Sequence, residues 1–176
     1  MPAPTLDATP MVSTANSYCT VAESNDYHAA HLYASDWESA SADQKTISLI
    51  MATRILDYKV IWAHYPTKAR SEGQVLQWPR NGLIDLDGYG TVPEYVIPQR
   101  IKEVTAEYAR QLLVSNRTAD SDVETQGIAS ISAGPISLSF KDDVKAKVVP
   151  DSVVQMIPTW WGKVSGHQMT LPILRN

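Results

Sequence analysis

The sequence predicts a mostly α-helical fold, a small helical bundle with one protruding β-hairpin and extended N- and C-terminal arms. Three observations predict it. Two segments repeat apolar residues at three- and four-residue steps, one shorter segment alternates with a period of two, and both ends of the chain show no period. With 44% hydrophobic and 19% charged residues among 176, the composition is that of a globular chain, one domain with appendages.

Residues 1–17, rich in Pro, Ala, Thr and Ser, read as an N-terminal arm. Thr20-Val21-Ala22-Glu23 has capping-box spacing, a hydroxyl and a carboxylate that can satisfy each other's free backbone N–H groups. A short helix to about His31 is expected after it. Ser41-Ala42-Asp43-Gln44 repeats the device and opens a longer helix, whose Ile47, Ile50, Met51, Ile55, Tyr58 and Ile61 are expected to share a buried face. From His64 to Val92 the prolines and glycines break the rhythm, and a long loop is predicted.

Pro98 suits the first turn of a second long helix, with Ile97, Ile101, Val104, Tyr108 and Leu112 on its core stripe and its end near Asn116. Ile136, Leu138 and Phe140 alternate with Ser137 and Ser139, and Ile128 to Ser132 can supply the partner strand, so a β-hairpin is expected near 127–141. Pro150 opens a last short helix, Asp151 to about Ile157, before Trp160-Trp161-Gly162. The expected division is an arm at 1–17, a helical domain at 18–161 and a C-terminal tail at 162–176.

Motifs for chemistry are scarce. The net charge of −4 offers no global attraction to nucleic acid or anionic membrane, and no apolar run approaches the ~20 residues that span a bilayer. Met1 to Tyr18 has neither a basic start nor a continuous apolar stretch, so no secretory signal is expected and the chain should fold in a reducing cytoplasm. Cys19 is the only cysteine, which excludes an internal disulfide and suits a small buried residue. Gly162-Lys163-Val164-Ser165 has the end of a phosphate-binding loop, but Ile157 stands where that loop needs a glycine. Asp85-Leu86-Asp87-Gly88 reads as a tight turn and not a calcium loop, which would need a third oxygen ligand and a closing Glu. His28 and His31 can share a helix face, yet read as solvated histidines without further zinc ligands. No nucleophile elbow or His-Glu-x-x-His is present. No catalytic, cofactor-binding or metal-binding residue is therefore assigned, and the chain is not expected to be an enzyme.

Gln77-Trp78-Pro79-Arg80-Asn81-Gly82, then Asp85-Leu86-Asp87-Gly88 and Ile97-Pro98, together with Asn16-Ser17-Tyr18 and Ala52-Thr53-Arg54-Ile55-Leu56-Asp57, resemble a family of tailed-bacteriophage head–tail connector, or adaptor, subunits. The resemblance covers residues 16 to 161, and some members of that family carry a DnaT-like single-stranded DNA-binding label. It implies a virion structural protein of the neck, made in the host bacterial cytoplasm. Its twelve copies would form a ring on the portal protein and offer their other face to the tail or a second connector. DNA would pass through the lumen during packaging and ejection without specific binding. The alternative is a single-stranded DNA-binding accessory protein, and a small hydrolase is the third possibility.

On the connector reading, Trp160 and Trp161 with the apolar finish of the tail, Met169, Leu171, Ile173 and Leu174, are expected to bind the portal or a neighbouring copy. Trp78 and Arg80 are expected to anchor the central loop or to lie at a ring contact.

Overall fold

The structure, a computed structural model, describes residues 3–63, 73–85, 88–119, 130–133, 136–139 and 147–165. Its elements run α1 (Val21–Ala29), α2 (Ser35–Ser39), α3 (Ala42–Lys59), β1 (Val60–Trp62), α4 (Gln99–Val114), β2 (Ser130–Ala133), β3 (Ile136–Ser139), α5 (Asp151–Met156) and β4 (Gly162–Val164). The fold is mostly helical with an antiparallel hairpin, β2–β3, registered Ser130 to Ser139 through Ala133 to Ile136.

Both capping boxes form. Thr20 Oγ1 accepts from the Glu23 N–H while Glu23 reaches back to the Thr20 N–H, and Ser41 and Gln44 do the same for α3. Pro98 precedes α4, where its missing N–H leaves no bond unmade. α4 is the central element, packing against α1, α2, α3 and α5. Its stripe Ile101, Val104 and Tyr108 is fully buried, with Ile97 just before it buried and Leu112 partly so. Polar ties fix the neighbours: Lys102 to Glu23 on α1 at 2.5 Å, Gln111 to Ser152 on α5 at 2.9 Å, and the Tyr108 hydroxyl to the Val148 carbonyl at 2.8 Å.

The face of α3 differs from expectation. Ile50 and Ile55 are buried as expected, but Ile47 and Tyr58 are 48% and 82% exposed, and the buried face centres on the line Leu49, Ala52, Thr53 and Leu56. At about 100° per residue that line lies opposite Ile47, Met51, Arg54 and Tyr58. Small and polar side chains form part of the packed face, so counting large apolar residues rotated it. Ile61 was counted on the same helical stripe but belongs to β1, because the helix stops at Lys59.

Residues 162–164, read as the start of a tail, are a strand. β4 pairs antiparallel with β1, Val60 opposite Val164, Ile61 opposite Lys163 and Trp62 opposite Gly162. The N-terminal segment folds back on itself, Asp7 N–H donating to Asn16 Oδ1 and Asn16 N–H to the Asp7 carbonyl, both at 2.8 Å.

His28 is buried, not solvated as its spacing suggested. Its Nε2 lies 3.1 Å from the Ala106 carbonyl, so Nε2 carries the proton and donates. Nδ1 is buried with no hydrogen-bond partner among the described residues. Charging the ring would place a second N–H there unmet, and burial lowers its pKa from 6.5 to about 4. The unfolded chain therefore binds the extra proton first as pH falls. Stability contributed by neutral His28 is complete above pH 6.5 and is lost progressively down to about pH 4, by up to roughly 3 kcal/mol. Urea unfolding midpoints measured across that window should fall in the wild type and flatten in His28→Gln.

Candidate functional site

The loop after β1 is held by a buried node built from distant segments. The Tyr18 hydroxyl donates to Asp57 Oδ1, near the end of α3, and Asp57 Oδ2 accepts from the Gln77 N–H at 3.2 Å. The Tyr18 N–H donates to Thr53 Oγ1 at 3.2 Å. Burial, reinforced by the Asp57 carboxylate, holds the Tyr18 phenol well above its ordinary range and so protonated. Arg80 donates to the Gln77 carbonyl at 3.2 Å and to the Ala63 carbonyl at 2.8 Å, clamping the loop to the end of β1.

That clamp sets Trp78 into the core, ahead of a cis Trp78–Pro79 bond. The Trp78 ring meets Trp62 edge-on at 5.4 Å and Trp161 at 5.3 Å. Trp161 is itself 1% exposed, its indole N–H donating to the Ile84 carbonyl at 2.9 Å. Beside it the chain from Ile84 to Thr91 closes a turn in which Gly88 N–H donates to the Asp85 carbonyl and Tyr89 N–H to Asp85 Oδ1. Leu86 and Asp87, between Asp85 and Gly88, lie outside the described residues, and no metal-binding cluster occurs among the described residues.

Trp160 points the other way. The tight turn from Pro158, with Trp161 N–H donating to its carbonyl at 2.8 Å, sends one indole inward and leaves the next outside, 54% exposed. On the β1–β4 ribbon, Val60 and Trp62 face the core while Ile61 and its partner Lys163 face out. Trp160, Thr159, Ile61, Ala63 and Lys163 rim a shallow cleft of about 220 Å³ floored by Trp62 and Gly162. No acidic side chain among the described residues lines it.

Charge is segregated. Arg100, Lys102, Arg110 and Lys147 are in ion pairs with Glu103, Glu23, Glu107 and Asp151. Arg54, Lys59 and Lys163 are exposed and make no ion pair among the described residues. A second cavity, about 580 Å³, is lined by Glu23, Asp26 and Glu103 with Tyr27 and His31. Three carboxylates there oppose an anionic ligand, whereas the cleft at Trp160 combines an indole face, an apolar floor and a cation.

Of the residues singled out from sequence, Trp78, Arg80 and Trp161 are core and Trp160 is surface. Met169, Leu171, Ile173 and Leu174 lie outside the described residues. Ile61 and Lys163 were missed as site residues. The run Val60-Ile61-Trp62, β-branched and aromatic, was the available sign of a strand.

Residues 5–176 match a protein family described as "Putative DnaT-like ssDNA binding protein". No curated protein and no solved structure matches the chain. The family match corrects the connector reading: it is to a DnaT-like family and not to a phage connector family, so the adaptor role, the virion neck, the portal and tail partners and the ring of twelve through which DNA passes unbound are set aside. Within the motifs that suggested the connector, Tyr18, Asp57, Gln77 and Arg80 build the buried node or its clamp, and Trp78 is core.

The node and the ribbon make separate predictions. Asp57→Ala strands the Tyr18 hydroxyl and the Gln77 N–H, and should cost about 3 kcal/mol in urea unfolding. A Cβ on Gly162 would stand 2.8 Å from both Trp62 Cε3 and Val60 Cγ1, so Gly162→Ala should cost roughly 1–3 kcal/mol by the same measurement.

Proposed function

Because the chain belongs to the DnaT-like family described as ssDNA-binding, we propose that it binds single-stranded DNA through the outer face of the β1–β4 ribbon. The observation that carries this assignment is the exposed Trp160 indole beside Lys163, on a cleft with no carboxylate among its described lining residues. Unpaired bases expose π-faces that stack on an indole, and stacking contributes about 1–3 kcal/mol per base with little regard to sequence. Duplex DNA keeps those faces stacked inside, so the same cleft favours single strands. Lys163, opposite Ile61, is placed to meet a phosphate of the strand whose base lies on Trp160.

The net charge of −4 does not contradict this. Attraction is local, and at physiological salt a charge beyond about 8 Å is largely screened. We propose a binding protein and not a catalyst. The strongly perturbed groups, Tyr18, Cys19 (its thiol pushed up to about 12 by burial), His28 and Tyr108, are core residues and none lines the cleft.

Fluorescence anisotropy with a labelled oligothymidylate tests the assignment. Trp160→Ala should weaken binding by about ten-fold, the size of one lost stacking contact, with little change in thermal unfolding. Unlabelled single strands should compete and blunt duplex should not. Equal affinity of wild type and Trp160→Ala, or equal competition by duplex, would remove the cleft from the function.

A further inference from the structure

α3 runs directly into β1, so the exposed line of the helix leads to the cleft. Arg54 and Tyr58 lie one turn apart, about 6 Å along the axis, on the side of α3 opposite its buried face. Tyr58 is only three residues before Ile61, within roughly 10 Å along the chain, and Ile61 is 57% exposed on the ribbon's outer face. Lys59 is exposed at the junction.

From Ile47 through Met51 and Arg54 to Tyr58 this line carries no acid, and its cation makes no ion pair among the described residues. A ring 82% exposed at the end of a packed helix has no role in the core. On α4 and at Lys147, by contrast, the cations stand against carboxylates. Charge complementarity and continuity with the cleft therefore select one occupant for this face.

We infer that single-stranded DNA leaving the Trp160 cleft continues along the outer face of α3, with Tyr58 as a second base-stacking residue and Lys59 and Arg54 as phosphate contacts. The inference rests on the proposed ribbon interface and extends it from one base to a track of several nucleotides. Three cations on single-stranded DNA give a salt slope near −2, at about −0.7 per phosphate neutralised.

Anisotropy with oligothymidylates of about three and about twelve nucleotides separates the track from the cleft. Tyr58→Ala should weaken the longer oligomer about ten-fold and leave the shorter one unchanged, whereas Trp160→Ala weakens both. Arg54→Ala should reduce the salt slope for the longer oligomer by about 0.7. Alanine on an exposed helical position keeps the helix, so thermal unfolding should not move. Wild-type affinity of Tyr58→Ala for the longer oligomer, while Trp160→Ala is impaired, overturns the track and leaves the cleft standing. If Tyr58→Ala retains that affinity but turns a dimer into a monomer in light scattering, the face belongs to a second copy and the track is likewise overturned. Absence of wild-type binding to either oligomer removes both.

Discussion

The Asp57 carboxylate joins segments that are far apart in sequence. It accepts one hydrogen bond from the Tyr18 hydroxyl ahead of α1 and another from the Gln77 N–H in the loop beyond β1. A charged acceptor in a part-buried site is stronger than a neutral one and costly to leave unmet, so each of its partners is held in place. Fixing Gln77 positions Arg80 to bind the Ala63 carbonyl, and the same loop seats Trp78 against Trp62 and Trp161. Trp161 in turn decides that its neighbour Trp160 faces outward. The proposed interface thus depends on a node that never touches the surface it organises.

Close packing explains why that surface is rigid enough to present a ring. Trp62 lies over Gly162, and a single added carbon there would collide with it. The strand pair is short, three residues on each side, and short two-stranded sheets are marginal alone. Three indoles behind it supply the burial that the hydrogen bonds cannot. The exposed side can then differ in character from α4: its cations make no ion pair among the described residues, while α4 places each of its cations next to a glutamate, either on the helix itself or on α1. A chain of net negative charge can in this way keep one face open to a polyanion.

Some of this was legible in the residue order. Local rules work where the energy is local: both capping boxes, the helix after Pro98 and the alternating strands of the hairpin follow from contacts within a few residues. The α3 face was legible only in Ile50 and Ile55, because Ala52 and Thr53 are buried by what packs on them and not by their own hydrophobicity. His28 likewise looks like any surface histidine until α4 brings the Ala106 carbonyl to it. The Gln77 to Arg80 motif was visible as an unusual cluster, yet its meaning was misassigned, since a buried node and a binding surface both favour Trp and Arg.

The sequence by itself determined the class of the fold and where its helices begin, since caps and periodicity are interactions between near neighbours. It also determined that Trp160, Trp161 and Lys163 are consecutive or nearly so. Only the tertiary structure decided that Trp161 is core and Trp160 is surface, and that Lys163 stands opposite Ile61. Those outcomes depend on the pairing of strands about a hundred residues apart, and a contact of that range leaves no period in the chain from which it could be read.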